Sequence, residues 1–182
     1  MAAFLGRPCQ YIGASKPPCT LDYWTSHRYA PRIVAAIGQA IDRTKREMAA
    51  QSVVLIGYSG GGSVAALVAR GRTDVKGLIT VGANLDHRAW TSLHAVSPLS
   101  GSLNPADFAA ELERIPQVHF VGAQDTIVPR SVVMAYVNKM SDPSRTRVLV
   151  IPGFSHGCCW IEGWPGLLVR AKSLLAKLRA GQ

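Results

Sequence analysis

Short apolar runs recur along the chain: AAFLG (2–6), SVVLIG (52–57), KGLITVG (76–82), QVHFVG (117–122) and RVLVIPG (147–153), each bounded by Gly, Pro or Asp. None alternates cleanly between apolar and polar, which is the pattern of strands buried on both faces of a parallel sheet. Helical patterns fall between most of them. One opens at Pro31 with Ile33, Ile37 and Ile41 on a common face, and one runs from Ser59 through Val64, Leu67 and Val68 to a stop at Gly71. Another covers Val132 to Met140, and the last begins near Pro165 and carries Leu167, Leu168, Ala171, Leu174, Leu175 and Leu178 at three and four spacing. Strands alternating with helices predict an α/β fold, a mostly parallel sheet of about five strands with helices on both faces.

The rhythm breaks between Leu85 and Pro116, where Trp90, His94, Pro98, Gly101 and Pro105 are scattered ahead of the helical stretch ADFAAELERI. A connection this long at the C-terminal edge of a parallel sheet often lies over the ligand crevice, so residues 85–116 are expected to form a small cap. No repeat, low-complexity tract or linker divides the chain, and residues 1–182 are expected to form one domain.

At 182 residues and 48% hydrophobic composition the chain can bury a core without staples or metals. No apolar run reaches the roughly 18–20 residues of a membrane span, and the opening MAAFLGRPC lacks the order of a signal peptide, so a soluble protein is expected. The net charge of +9 comes from Lys and Arg spread along the sequence, without zinc-finger spacing, an aromatic RNA-reading motif or a basic helix. That distribution reads as a solvated basic surface, with no nucleic-acid partner expected. Cys9 and Cys19 flank a Pro-Pro turn, while Cys158 and Cys159 are adjacent; neither pair has C-x-x-C spacing, so no metal site and no cofactor is expected. Two readings of Cys9 and Cys19 stand open. A disulfide would place the chain in an oxidising compartment, periplasmic or exported, and free buried thiols would suit the cytoplasm.

The run VVLIGYSGGG carries the chemistry. A strand that turns sharply into a helix, with Gly57 and Gly61 two residues either side of Ser59, holds the serine on a strained elbow at the sheet edge. The helix start then offers the Gly60 N–H as a donor to an oxyanion. A phosphate cradle is the rival reading, but the Gly-Lys-Ser/Thr ending and the G-x-G-x-x-G spacing are missing. A serine needs a base and an orienting acid, and these follow at the ends of later strands: Asp125 after QVHFVG and His156 after RVLVIPG. Asp86, after KGLITVG, is the rival acid. His27, His87, His94 and His119 lie upstream, in the cap or within a strand, and fit a base poorly.

With Ser59, Asp125 and His156 in that order, the chain resembles a family of bacterial α/β-hydrolases of esterase-like and lipoprotein-like description. Besides GYSGGG, the likeness rests on GRPCQY, DYWTSHRYAP (22–31), TVGANLDHRAWTSLH (80–94), PLSGSLNPAD (98–107), VGAQDTIVP and SHGCCW, which together span nearly the whole chain. The resemblance implies Ser59, Asp125 and His156 as a catalytic triad acting on a carboxylic ester or similar small acyl compound, through an acyl-enzyme. Tyr58, Trp90 and Trp160 are candidate apolar walls of the substrate pocket. Against that family the chain is short at the N-terminus, lacking early strands and a Gly-rich loop that offers a second oxyanion N–H. Three arrangements would accommodate this. AAFLGRPCQ shifts across to pair with SVVLIG, its Gly6 to Gln10 turn replacing the missing loop, which is the favoured expectation; two copies dimerise through exposed sheet edges; or the chain is a weakly active fragment. The alternative function is a hydrolase scaffold that binds a ligand or partner without turnover.

Overall fold

The computed structural model describes residues 1–11 and 16–181. Four strands form its sheet: β1 (Val53–Tyr58), β2 (Val75–Val81), β3 (Gln117–Gly122) and β4 (Thr146–Ile151). They lie side by side in chain order and every neighbouring pair is parallel. The helices are α1 (Pro31–Glu47), α2 (Gly60–Ala69), α3 (His87–Leu93), α4 (Ala109–Leu112), α5 (Arg130–Val137) and α6 (Trp160–Ala180), with single 3₁₀ turns at Leu21–Trp24, Pro105–Phe108 and Pro143–Arg145.

A parallel sheet that grows in one direction through right-handed crossovers puts its connecting helices on one face. Ala66 and Ala69 of α2, Leu112 of α4 and Val133, Tyr136 and Val137 of α5 accordingly share one core with Val75 and Leu78 of β2. On the opposite face α6 lies alone, burying Leu167, Ala171, Leu175 and Leu178 against Ile79, Val81, Val118 and Phe120. The stripe Ile33, Ile37 and Ile41 is the buried face of α1, and its last two residues pack on Val64, Leu67 and Val68 of α2. The sheet therefore has helices on both faces, but only the central β2 and β3 are buried as their unalternating runs predict; β1 and β4 lie at the edges and keep Val54, Ile56, Tyr58 and Val150 exposed.

Three elements differ from expectation. AAFLG forms no strand, and the described sheet has four strands rather than about five. β1 pairs with β2 alone among the described residues, so the expected shift of AAFLGRPCQ onto SVVLIG does not occur. Its cause lies nearby: Cys9 is disulfide-bonded to Cys19, both pack with Tyr23, Ala30 and Ile33, and Arg7 donates to the Arg28 carbonyl at 3.3 Å. These ties hold the segment at the start of α1, away from the edge of β1. The last helix begins at Trp160, with Pro165 inside it. Trp160 is buried, and its indole fixes the first turn to the preceding loop. Within 85–116, α3 is a helix that the scattered pattern did not suggest; Asp86 caps it, accepting from the Arg88 and Ala89 N–H groups.

The parallel register aligns the C-terminal strand ends, with Tyr58 opposite Val81, Val81 opposite Phe120 and Phe120 opposite Leu149. The loops that follow β1, β3 and β4 thus emerge along one edge.

Candidate active site

Ser59 sits between β1 and α2 with φ 49° and ψ −124°, a conformation that L-residues rarely adopt outside strained turns. Gly57 permits the bend, since a Cβ on it would lie 2.4 Å from the Gly61 carbonyl oxygen. The elbow is closed by Ser59 N–H donating to the Val81 carbonyl at 2.8 Å and Gly62 N–H to the Ser59 carbonyl at 3.0 Å. Oγ then stands at the N-terminus of α2, where the Gly60 N–H is one of the donors a helix leaves unpaired.

Two other loops meet it there. His156 Nε2 lies 3.1 Å from Ser59 Oγ, and His156 Nδ1 lies 2.8 Å from Asp125 Oδ2. The other carboxylate oxygen, Oδ1, accepts from the Ile127 N–H at 2.9 Å and the Val128 N–H at 2.8 Å. Asp125 is buried, at 4% exposure, so a carboxylate there requires these partners. With Oδ2 as acceptor, Nδ1 carries the proton and Nε2 is free to accept from the serine hydroxyl. Gly82, directly after β2, has φ +50°, and a Cβ on it would lie 3.2 Å from Asp125 Oδ2 and 3.3 Å from His156 Nδ1. A side chain there would press on that pair and strain the backbone. Sequence reasoning passed over Gly82, although a glycine ending the apolar run LITVG was the available signal.

The three aromatic residues expected as pocket walls are tied to these loops by their polar ends. Tyr58 Oη donates to the His156 carbonyl at 2.8 Å, and Trp160 Nε1 donates to the carbonyls of Ser155 and His156 at 2.9 and 3.0 Å. Trp90 Nε1 donates to the Ile127 carbonyl at 2.7 Å, joined there by His94 Nε2 at 2.8 Å. Burial, and then the negative charge of Asp125, push the Tyr58 phenol above its ordinary pKa, so it remains a donor at neutral pH. Trp90 and His94 thereby hold the loop that carries Asp125.

The remaining candidates are held elsewhere. Burial alone would raise the Asp86 carboxyl, but bonds from Asn104, Lys139 and the Ala89 N–H outweigh it and leave its pKa lowered. Its hydrogen-bond partners lie within α3 and on Asn104, and Lys139 pairs with it at 3.1 Å, so it is not directed at the histidine. His119 is fully buried within β3, bonded to Thr80 and Gln117, and burial depresses it to about 3. His27 bonds its neighbour Ser26 and packs on Gly101. Beside α3 lies an open cleft of about 520 Å³ whose lining includes His87, Thr91, Val96 and Leu99. Among the described residues no His, Cys, Asp and Glu cluster suits a metal ion, and no helix is long and apolar enough to cross a membrane.

A family model described as serine hydrolase (FSH1) matches residues 15–156, a span that holds Ser59 and Asp125 and ends on His156. No curated protein matches the sequence. Solved structures share the fold at low identity. Puromycin hydrolase is 17% identical with a TM-score of 0.66 over 85% of this chain and 26% of its own. An esterase from Pyrococcus furiosus is 14% identical with a TM-score of 0.61 over 81% of this chain and 62% of its own. Proline iminopeptidase from Mycobacterium smegmatis is 13% identical with a TM-score of 0.66 over 86% of this chain and 75% of its own. The chain thus spans about a quarter of the first of these and under two thirds of the second.

Proposed function

The chain belongs to the serine hydrolase (FSH1) family, and from that premise we propose that it cleaves carboxylic esters with Ser59 as nucleophile, His156 as base and Asp125 as orienting acid. The observation that carries the reading is the unbroken hydrogen-bonded line from Asp125 Oδ2 through the His156 ring to Ser59 Oγ.

The chemistry follows from the atoms in that line. As Ser59 Oγ attacks the ester carbonyl carbon, its proton passes to His156 Nε2 and the carbonyl π electrons move onto oxygen. Asp125 stabilises the imidazolium without taking its proton. The oxyanion forms beside the N-terminus of α2, where the Gly60 N–H and the helix dipole oppose its charge. Collapse of the intermediate breaks the bond to the leaving alcohol, which departs with the proton from Nε2. Water then repeats the sequence on the acyl-enzyme and releases the acid.

Residues 1–182 act here as one hydrolase domain in which 85–116 caps the acid loop. The substrate is a small ester, and Trp90, Tyr58 and Trp160 border the space next to the triad. The Cys9–Cys19 disulfide favours an oxidising compartment. Because the fold neighbours include an iminopeptidase as well as an esterase, amide cleavage is the reading to set against this one. Ser59→Ala should abolish labelling by a fluorophosphonate probe and lower ester kcat by about 10⁵–10⁶-fold. Steady-state rates on p-nitrophenyl butyrate against an aminoacyl p-nitroanilide separate the two substrate classes. Folded wild-type protein that neither takes the probe nor cleaves either substrate would leave a binding scaffold in place of an enzyme.

A further inference from the structure

An oxyanion pocket needs more than one donor, and the structure offers a second beside Gly60. A Cβ built on Gly60 would lie 3.1 Å from the Tyr29 hydroxyl oxygen and 3.5 Å from the nearest ring carbon. Gly60 has no left-handed φ, so its backbone does not demand glycine; the missing side chain makes room for a phenol. Since a Cβ lies about 2.5 Å from its own nitrogen, Tyr29 Oη is under about 6 Å from Gly60 N. Two donors that close can share one oxygen at about 2.9 Å from each.

Tyr29 is built to hold that position. It is 2% exposed, and its ring packs with Ile37, Val64 and Leu67 where α1 meets α2. Its backbone N–H donates to Ser102 Oγ at 3.1 Å, and its carbonyl accepts from the Leu103 N–H at 3.0 Å. Among the described residues its hydroxyl has no hydrogen-bond partner, whereas the other deeply buried phenol, Tyr136, donates to Gln117 at 2.9 Å. A buried tyrosine normally satisfies its hydroxyl. This one, though its ring is buried, makes no such bond among the described residues, and it lies where a Gly60 side chain would otherwise begin.

We propose that Tyr29 Oη is the second oxyanion donor, a side-chain hydroxyl acting together with the Gly60 N–H on the tetrahedral intermediate. This rests on the serine-hydrolase reading. The phenol keeps its proton throughout and strengthens its hydrogen bond as the substrate carbonyl oxygen gains charge, so its effect falls on the transition state rather than on ester binding.

Tyr29→Phe tests the assignment, with p-nitrophenyl butyrate as substrate, a fluorophosphonate as probe and phenylboronic acid as tetrahedral analogue. Loss of this donor should lower kcat by about 10²–10³-fold with KM within a few-fold, and loosen phenylboronate by a comparable factor. Gly60→Ala, which presses a methyl group onto the hydroxyl while keeping the Gly60 N–H in place, should lower kcat in the same direction. Adding Tyr29→Phe to it should then cost little more. If Tyr29→Phe does not fold, the kcat and phenylboronate affinity of Gly60→Ala decide alone. Wild-type kcat and phenylboronate affinity in Tyr29→Phe overturn the assignment and leave the triad standing. A wild-type protein inert to probe and ester overturns both.

Discussion

Ser59 shows how much of a candidate nucleophile's character comes from its backbone. The φ of 49° is sustained because Gly57 admits the Gly61 carbonyl where a side chain would collide, and because the Ser59 N–H is anchored on β2. Gly82 does a comparable service for Asp125 and His156. In Gly82→Ala the methyl group meets both Asp125 Oδ2 and His156 Nδ1 and the positive φ becomes strained. The variant should lose about 1–2 kcal/mol of stability and about 10–100-fold in kcat, because a small displacement of the imidazole spoils its approach to Oγ. Urea unfolding and steady-state kinetics measure the two effects, and a kcat equal to wild type would mean that the pair shifts without consequence. Fluorophosphonate labelling of Ser59→Ala, by contrast, asks only whether Oγ is the reacting atom.

At the scale of elements, α3 is the piece that pattern reading missed, and it holds the loop that carries Asp125. Its seven residues carry too little apolar periodicity to announce a helix; what makes one is Asp86 at the cap, locked by Asn104 and Lys139. From it Trp90 and His94 both donate to the Ile127 carbonyl, while the N–H of that same residue holds Asp125 Oδ1. Trp90→Phe alone should lower kcat by no more than a few-fold, since His94 still grips the loop. The double variant Trp90→Phe/His94→Ala should lower it by about 10-fold or more, exceeding the product of the single effects. Additive behaviour in that double-mutant cycle would show that the two bonds do not act on one carbonyl. The start of α6 is a similar case, because Pro165 pointed to a later beginning than the one that Trp160 enforces.

For the molecule as a whole, acid stability follows from a buried polar chain inside the sheet. His119 accepts from Thr80 at Nδ1 and donates from Nε2 to Gln117, which also accepts from Tyr136. Both ring nitrogens are thus used by the neutral form, and burial lowers the folded-state pKa from 6.5 to about 3. Between those values the unfolded chain takes up a proton that the folded chain refuses. The stability contribution is therefore complete above the unfolded pKa and is lost as pH falls toward 3, at about 1.4 kcal/mol per pH unit. Chemical unfolding at pH 7, 6, 5 and 4 should show that slope, and His119→Gln should reduce it by nearly one proton; an unchanged slope would place the titrating group elsewhere. Across the sheet, α6 leaves Val54, Ile56 and Tyr58 of β1 at 41, 48 and 47% exposure, an apolar stripe beside the site.

The amino-acid sequence alone determined the local events. Continuous apolar runs imposed the parallel strands, of which the central β2 and β3 are the buried ones, the Ile33, Ile37 and Ile41 stripe imposed α1, and glycines around Ser59 imposed an elbow, because each depends on neighbours a few residues away. Tertiary structure alone decided which carboxylate faces which imidazole, that Gly82 must yield space to them, that the Cys9–Cys19 tie draws the N-terminal segment toward α1, and that the Tyr29 hydroxyl comes to rest against Gly60. Those contacts join residues far apart in the chain, and their distances are set by how helices pack on the sheet, a quantity that no local pattern encodes.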